Sequence, residues 1–97
     1  NNNSMSLEVP DSENNLSAER RRSQLGVLID DVQHTLEAYR DDYREYWQQH
    51  AAPCQLAIKQ LRDMIETIDD NKPLTFDDEI RTIISELDQA IREYFSS

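Results

Sequence analysis

Apolar side chains recur every three or four positions along most of the chain, beginning at Leu25. Spacings of four and three residues place side chains on one face of an α-helix, as at the a and d positions of a coiled coil. The pattern predicts a long first helix over residues 17–50, with Ser17 as its N-cap. Its apolar seam comprises Leu25, Ile29, Val32, Leu36, Tyr39, Tyr43, Tyr46 and His50.

Two further helices are predicted from the same rhythm. Pro53 lacks an amide N–H and suits the first turn of a helix, so we expect it to end the first helix and begin a second over residues 53–69. The second seam comprises Cys54, Ile58, Leu61, Ile65 and Ile68. A third helix is predicted over residues 75–95, with a seam of Phe76, Ile80, Ile83, Leu87, Ala90 and Tyr94 that is widened by Ile84, Ile91 and Phe95.

Short connections between consecutive helices make them antiparallel neighbours. The predicted fold is therefore all-α: an up-down-up antiparallel three-helix bundle with coiled-coil-like packing over residues 17–97. The first helix is much longer than the other two, so we expect it to overhang them by about 20 Å at its N-terminal end.

Residues 1–16 are mostly polar and carry only isolated apolar side chains, among them Leu7, Val9 and Leu16. Such a segment buries too little surface to offset the entropy of ordering it, so we expect a flexible tail. Two alternatives stay open for residues 1–4: they are natural sequence, or they are a remnant of cloning that precedes a natural start at Met5.

Two apolar surfaces are candidates for partner binding. The predicted overhang leaves Leu25, Leu28 and Ile29 uncovered, and a second copy, a partner protein or the tail could cover them. The aromatic row from Tyr39 to Trp47 either forms a core with Tyr94 and Phe95 or is a partly exposed binding surface, since Tyr and Trp are preferred interface anchors. The candidate partner-binding residues are Leu25, Leu28, Ile29, Tyr39, Tyr43 and Trp47.

Charge narrows the choice of partner. Twenty acidic residues against ten basic ones give a net charge of −10, which disfavours direct contact with nucleic acid or with anionic lipid. We therefore expect a protein partner with a basic or mixed surface, or a second copy of the chain, and no membrane association. The single cysteine, Cys54, cannot form an internal disulfide, and the cytoplasm is the expected location.

Candidate catalytic groups are weak. The paired carboxylates, such as Asp30 with Asp31, fall mostly outside the apolar seams, where solvent keeps them ionised. His34 has no second Glu-x-x-His partner for a bundle-type metal site, and Cys54 has no basic residue nearby to stabilise a thiolate. We therefore predict no catalytic residue, metal site or cofactor, and we do not expect an enzyme.

The sequence favours a small acidic helical module that binds another protein as an adaptor, chaperone or regulator. The alternative is an acidic nucleic-acid mimic that inhibits a DNA- or RNA-binding protein. Duplex DNA carries about 30 charges over ~50 Å, whereas this whole chain has a net charge of −10. Because the chain carries far less negative charge than DNA of similar length, nucleic-acid mimicry is the second choice.

Overall fold

The computed structural model of the protein describes residues 17–96, and this part of the chain is helical with no strand. The predicted all-α class is therefore confirmed. The predicted tail at residues 1–16 lies outside the described residues. The elements are, in chain order, helix α1 (Ala18–Ala38), the short helix α2 (Arg40–Tyr43), a 3₁₀ turn (Arg44–Tyr46), helix α3 (Trp47–Glu66) and helix α4 (Leu74–Ser96).

Helix α1 begins at the predicted N-cap. The Ser17 side chain accepts a hydrogen bond from the backbone N–H of Arg20 at 3.1 Å, and Glu19 places negative charge in the first turn. Both features stabilise the positive end of the helix dipole. The buried positions of α1 lie on one face at spacings of three and four residues: Arg21, Leu25, Ile29, Val32 and Leu36.

The chain reverses direction between Ala38 and Trp47, so the predicted continuation of the first helix to residue 50 is wrong. Arg44 in this segment has a φ of 54°, a conformation that an α-helix does not contain. Trp47 stabilises the reversal, because its buried indole Nε1–H donates to the Leu36 carbonyl oxygen at 3.0 Å. This contact across the turn closes the hairpin well before Pro53.

Pro53 lies inside helix α3 and does not begin it. A proline in a helix interior removes the hydrogen bond to the carbonyl four residues earlier, here that of Gln49, at a cost of about 3 kcal/mol. Both residues are exposed, so water can hydrate that carbonyl. Burial of Trp47 and Ala51 in the first turns of α3 offsets the cost, and the helix runs through the proline.

The earlier turn also removes the predicted overhang. Helices α1, α3 and α4 contain 21, 20 and 23 residues, so each is about 30–35 Å long. Leu25 and Ile29 are each 0 % exposed and belong to the common core. The prediction of an extended first helix with a bare N-terminal end is therefore wrong.

Helices α1 and α3 run antiparallel. The Arg62 guanidinium lies 2.9 Å from the Asp30 carboxylate, and nearer the other end Arg22 donates to the carbonyl of Ile68. Positions early in α1 thus meet positions late in α3. These polar contacts border the apolar interface between the two helices.

Helices α1 and α4 run in the same direction. Arg21 pairs with Asp77 near their N-terminal ends, and the Tyr39 ring, just beyond α1, stacks on Phe95 with centroids 5.2 Å apart. Helix α1 contacts both long helices extensively, whereas α3 and α4 meet over fewer residues. The sparse α3–α4 contact leaves a furrow on that side of the molecule.

One apolar core joins the three long helices. Its buried members are Leu25, Ile29, Val32, Leu36, Trp47, Ala51, Ile58, Leu61, Ile65, Ile68, Ile80, Ile84, Ile91 and Phe95. Each buried aliphatic or aromatic side chain stabilises the folded chain by about 1.5–3 kcal/mol. The core therefore holds α4 against the α1–α3 hairpin in a defined orientation.

A buried ion pair fastens the N-terminal end of α4. Arg21 and Asp77 are 4 % and 2 % exposed, and the guanidinium contacts both carboxylate oxygens, at 3.0 and 2.8 Å. Its remaining donors bond to the carbonyls of Asp69, Lys72 and Pro73 in the connection between α3 and α4. The hydrogen bonds that Arg21 donates to the Asp77 carboxylate raise the pKa of Arg21 above its ordinary value.

Candidate partner-binding groove

The buried stripe of helix α4 is displaced from the predicted seam toward the residues that were predicted to widen it. Its buried side chains are Asp77, Ile80, Ile84, Ile91 and Phe95. In the predicted seam only Ile80 is buried, Phe76 and Leu87 are half-buried, Ala90 is exposed, and Ile83 and Tyr94 are 41 % and 54 % exposed. The helix is therefore rotated by roughly 80° from an orientation centred on the seam, at about 100° per residue. The residues that were predicted to widen the seam, Ile84, Ile91 and Phe95, form most of its buried stripe.

This rotation opens an apolar furrow, which we call the α3–α4 groove. Its residues are Pro53, Cys54, Ala57 and Met64 from α3 and Ile83, Leu87, Ala90 and Tyr94 from α4. Two hollows of about 410 and 520 Å³ lie end to end along it. The buried side chain of Leu61 forms part of the floor.

Each hollow of the groove is lined by one alanine, Ala57 on α3 in the first and Ala90 on α4 in the second. An alanine side chain ends at Cβ and fills little of the space between the helices. Ile83 and Tyr94 stand beside them on the surface, where burial against another molecule would remove further apolar area from water. A row of exposed apolar side chains of this kind is typical of interaction sites.

The other furrows of the described chain are more polar. The one between α1 and α3 is lined in part by Gln33, Gln55, Lys59 and Arg62, and the one between α1 and α4 by Asp31, Arg81, Asp88 and Arg92. Several of these groups already bond to one another, as Arg92 does to Asp88 at 2.9 Å. The α3–α4 groove is therefore the better candidate for apolar docking.

An aromatic cluster closes one end of the groove. It comprises Tyr39, Tyr43, His50, Tyr94 and Phe95, with ring centroids of neighbouring members 4.8–5.8 Å apart. His50 Nδ1 and the Tyr94 hydroxyl are hydrogen-bonded at 2.7 Å. Phe95 packs with Tyr39 and Tyr43 against the core, as one of the two alternatives for the aromatic row expects. Tyr46 and Tyr94 are instead exposed.

The six predicted partner-binding residues lie elsewhere. Leu25, Ile29 and Trp47 are buried in the core, and Tyr39 and Tyr43 are half-buried in the aromatic cluster. Leu28 is partly exposed and borders the furrow between α1 and α4. Leu25, Ile29 and Trp47 therefore lack the exposure on which their predicted role depended, whereas Leu28 retains part of it.

The groove residues of α4 belong to the predicted third seam, which was expected to face the core. The sequence feature that indicates an additional exposed face is the width of the apolar surface on this helix. Ile84 and Ile91 are offset from Ile83 and Ala90 by one position, so one helix carries two adjacent apolar faces. A three-helix arrangement can bury one such face, and the other must face solvent or a partner.

Charge is distributed unevenly along the two rims of the groove. On the α4 rim, Glu79, Glu86 and Glu93 are all exposed and lie seven residues apart. Within residues 17–96, Glu79 and Glu86 have no ion-pair partner, and Glu93 accepts a hydrogen bond from Gln89 at 3.0 Å. The α3 rim carries the uncharged Gln49 and Gln60.

Cys54 and His50 line the same hollow, one helical turn apart. Burial nevertheless raises the pKa of the Cys54 thiol, which lowers its thiolate fraction at neutral pH. His50 is engaged with Tyr94, and no hydrogen bond joins it to Cys54 in the described structure.

Comparison of the chain with protein-family models, curated proteins and solved structures gives no match. Among residues 17–96, no cluster of three His, Cys, Asp or Glu side chains is arranged to hold a metal ion. No helix in the same range has the length and apolarity needed to cross a membrane.

Proposed function

We propose that this chain is a small acidic helical module that binds another protein through the α3–α4 groove, as an adaptor, chaperone or regulator. The observation that carries the proposal is the exposed apolar row on α4, with Ile83 and Tyr94 41 % and 54 % exposed. Tyrosine is a frequent energetic anchor at interfaces. Apolar burial against a partner would supply the binding energy.

The architecture we propose is an up-down-up three-helix bundle with coiled-coil-like packing. The antiparallel contacts of α1 with α3 and the parallel contacts of α1 with α4 support it. The four- and three-residue spacings on α1 are those of a heptad seam. In this arrangement α3 and α4 are also antiparallel neighbours, with the groove between them.

We also propose that the chain has no catalytic role. The raised pKa of Cys54 disfavours a nucleophilic thiolate. The His50 imidazole, the nearest candidate base, is held by the Tyr94 hydroxyl. We also keep the cytoplasm as the expected place of action.

The alternative, a nucleic-acid mimic, is less favoured by the dimensions of the molecule. The longest axis is 54 Å, over which duplex DNA carries about 30 phosphate charges. The net charge of the whole chain is −10. If phosphate-like contacts led the binding, affinity would fall by about a thousandfold or more between ~50 and ~200 mM salt, whereas apolar docking predicts a small loss.

The test replaces exposed residues of the groove and leaves the core residues unchanged. Ile83→Gln with Ala90→Gln removes apolar surface at two exposed positions, and Val27→Gln with Leu56→Gln is the matched control. The control residues are 58 % and 56 % exposed and lie outside the groove. All four positions are helical, where glutamine is well tolerated, so circular dichroism should show a folded helical protein in both variants.

Proteins captured from the source cell are then compared among the wild type and the two variants. We expect the groove variant to lose the captured partner and the control to keep it, with little change when the salt concentration is raised. If the groove variant keeps the partner while remaining folded, the groove is not the binding surface. A thousandfold salt-dependent loss would favour the mimic instead.

A further inference from the structure

The apolar row of the α3–α4 groove has the geometry of a helix-binding seam. Ile83, Leu87, Ala90 and Tyr94 follow one another at spacings of four, three and four residues. This is the a and d pattern that accepts the side chains of a neighbouring helix. From Ile83 to Tyr94 the row extends about 17 Å, which is the length of roughly three turns of a docked helix.

The acidic rim specifies the charge of such a helix. Glu79, Glu86 and Glu93 recur at seven-residue spacing beside the apolar row, and residues flanking an a/d seam contact the flanks of the partner helix. The opposite rim is uncharged at Gln49 and Gln60. Complementary charge is therefore required on one flank of the occupant and not on the other.

Two occupants supplied by the chain itself fit this rim poorly. A second copy brings another net charge of −10, and like charge opposes close approach. The segment 1–16 contains Glu8, Asp11 and Glu13 and neither lysine nor arginine. Neither offers a row of positive charge to the three glutamates.

We propose that the occupant of the α3–α4 groove is an amphipathic helix of a partner protein that carries Lys or Arg along one flank at seven-residue spacing. This inference rests on the proposed function and names the chemistry of the partner. The apolar face of the helix packs on the row from Ile83 to Tyr94. Its basic flank lies along Glu79, Glu86 and Glu93, and its other flank lies along the glutamines of α3.

The probes are three synthetic peptides of about 20 residues with leucine at the a and d positions, long enough to form a helix on binding. They differ only along one flank, where each carries Lys, Gln or Glu every seventh residue. Fluorescence anisotropy measures their binding to the full chain. We expect the Lys peptide to bind about tenfold more tightly than the Gln peptide, equivalent to ~1.4 kcal/mol, and the Glu peptide to bind most weakly.

Two triple variants distinguish the effect of the rim glutamates on peptide binding from the effect of the net charge. The triple substitution Glu79→Gln, Glu86→Gln, Glu93→Gln should abolish the preference for the Lys peptide. The control triple substitution Glu19→Gln, Glu45→Gln, Glu66→Gln makes the same change in net charge at exposed positions outside the groove. The control should keep the preference.

The charge inference is overturned if the Gln and Lys peptides bind equally, or if both triple variants reduce the preference to the same extent. It is also overturned if sedimentation shows a dimer that Ile83→Gln with Ala90→Gln converts to a monomer, because a second copy then occupies the groove. In these cases the proposed function still holds if the variant Ile83→Gln with Ala90→Gln loses the protein that the wild type captures. If that variant captures the same protein as the wild type, the proposed function itself is wrong.

Discussion

Replacing Asp77 by asparagine should destabilise the fold strongly, because it removes the carboxylate that is paired directly with the buried Arg21 charge. In the wild type, both carboxylate oxygens of Asp77 accept from the guanidinium, at 2.8 and 3.0 Å. The two residues are almost fully buried, so solvent cannot screen the uncompensated charge. Breaking a buried pair on one side typically costs about 3–5 kcal/mol, a large part of the ~5–15 kcal/mol that stabilises a domain.

Urea denaturation followed by circular dichroism measures this cost, and urea is chosen because guanidinium chloride would screen the ion pair. For a domain of this size, the loss corresponds to a fall in Tm of roughly 12–40 °C. The double variant Arg21→Met with Asp77→Leu removes both charges together and should lose much less stability than Asp77→Asn alone. Measuring the single variants Arg21→Met and Asp77→Leu as well completes the cycle that isolates the coupling between the two residues.

The exposed pair of Lys59 with Asp63 provides the matched comparison. Its side chains are 71 % and 67 % exposed, and Lys59→Ala should change the free energy of unfolding by less than about 0.5 kcal/mol. If Asp77→Asn costs no more than Lys59→Ala, the buried pair does not fasten α4. The rotation of α4 that opens the groove would then be set by the apolar core alone.

Two further outcomes are expected. Pro53→Ala should raise the free energy of unfolding by about 2 kcal/mol, since regaining a helical residue in α3 contributes about 3 kcal/mol and the greater freedom of the unfolded chain offsets about 1 kcal/mol of it. A decrease in the urea midpoint would instead show that the proline favours the folded helix. Because burial raises the pKa of Cys54, the native chain should react with iodoacetamide at neutral pH more slowly than a free cysteine peptide does. Its rate should reach a plateau at a higher pH than the rate of the peptide. A native rate equal to that of the peptide would contradict the burial argument.

Local patterns in the sequence were sufficient for the helical class and for the beginning of the first helix. Ser17 caps α1 through a contact only three residues long, and the spacing of Leu25, Ile29 and Val32 defines one buried face. Capping and helical periodicity both act within a few turns of chain. Such features can be predicted without knowing what packs against them.

The position of the first turn depends on a contact between residues that are farther apart in the sequence. Trp47 bonds to the Leu36 carbonyl across the reversal, and its burial is decided by the hairpin and not by its own neighbours in sequence. The proline rule alone favoured a break at Pro53. The energy of packing Trp47 and Ala51 outweighs the hydrogen bond that the proline removes.

The candidate binding surface was decided by tertiary structure. Sequence periodicity showed that α4 is apolar on a broad surface, but both adjacent faces were able to form the core. The pairing of Asp77 with Arg21, 56 positions away in the chain, and the burial of Ile84 and Ile91 select one of them. The face that includes Ile83 and Tyr94 is consequently exposed, because a helix that packs on one side against two neighbours can bury only one stripe of its surface.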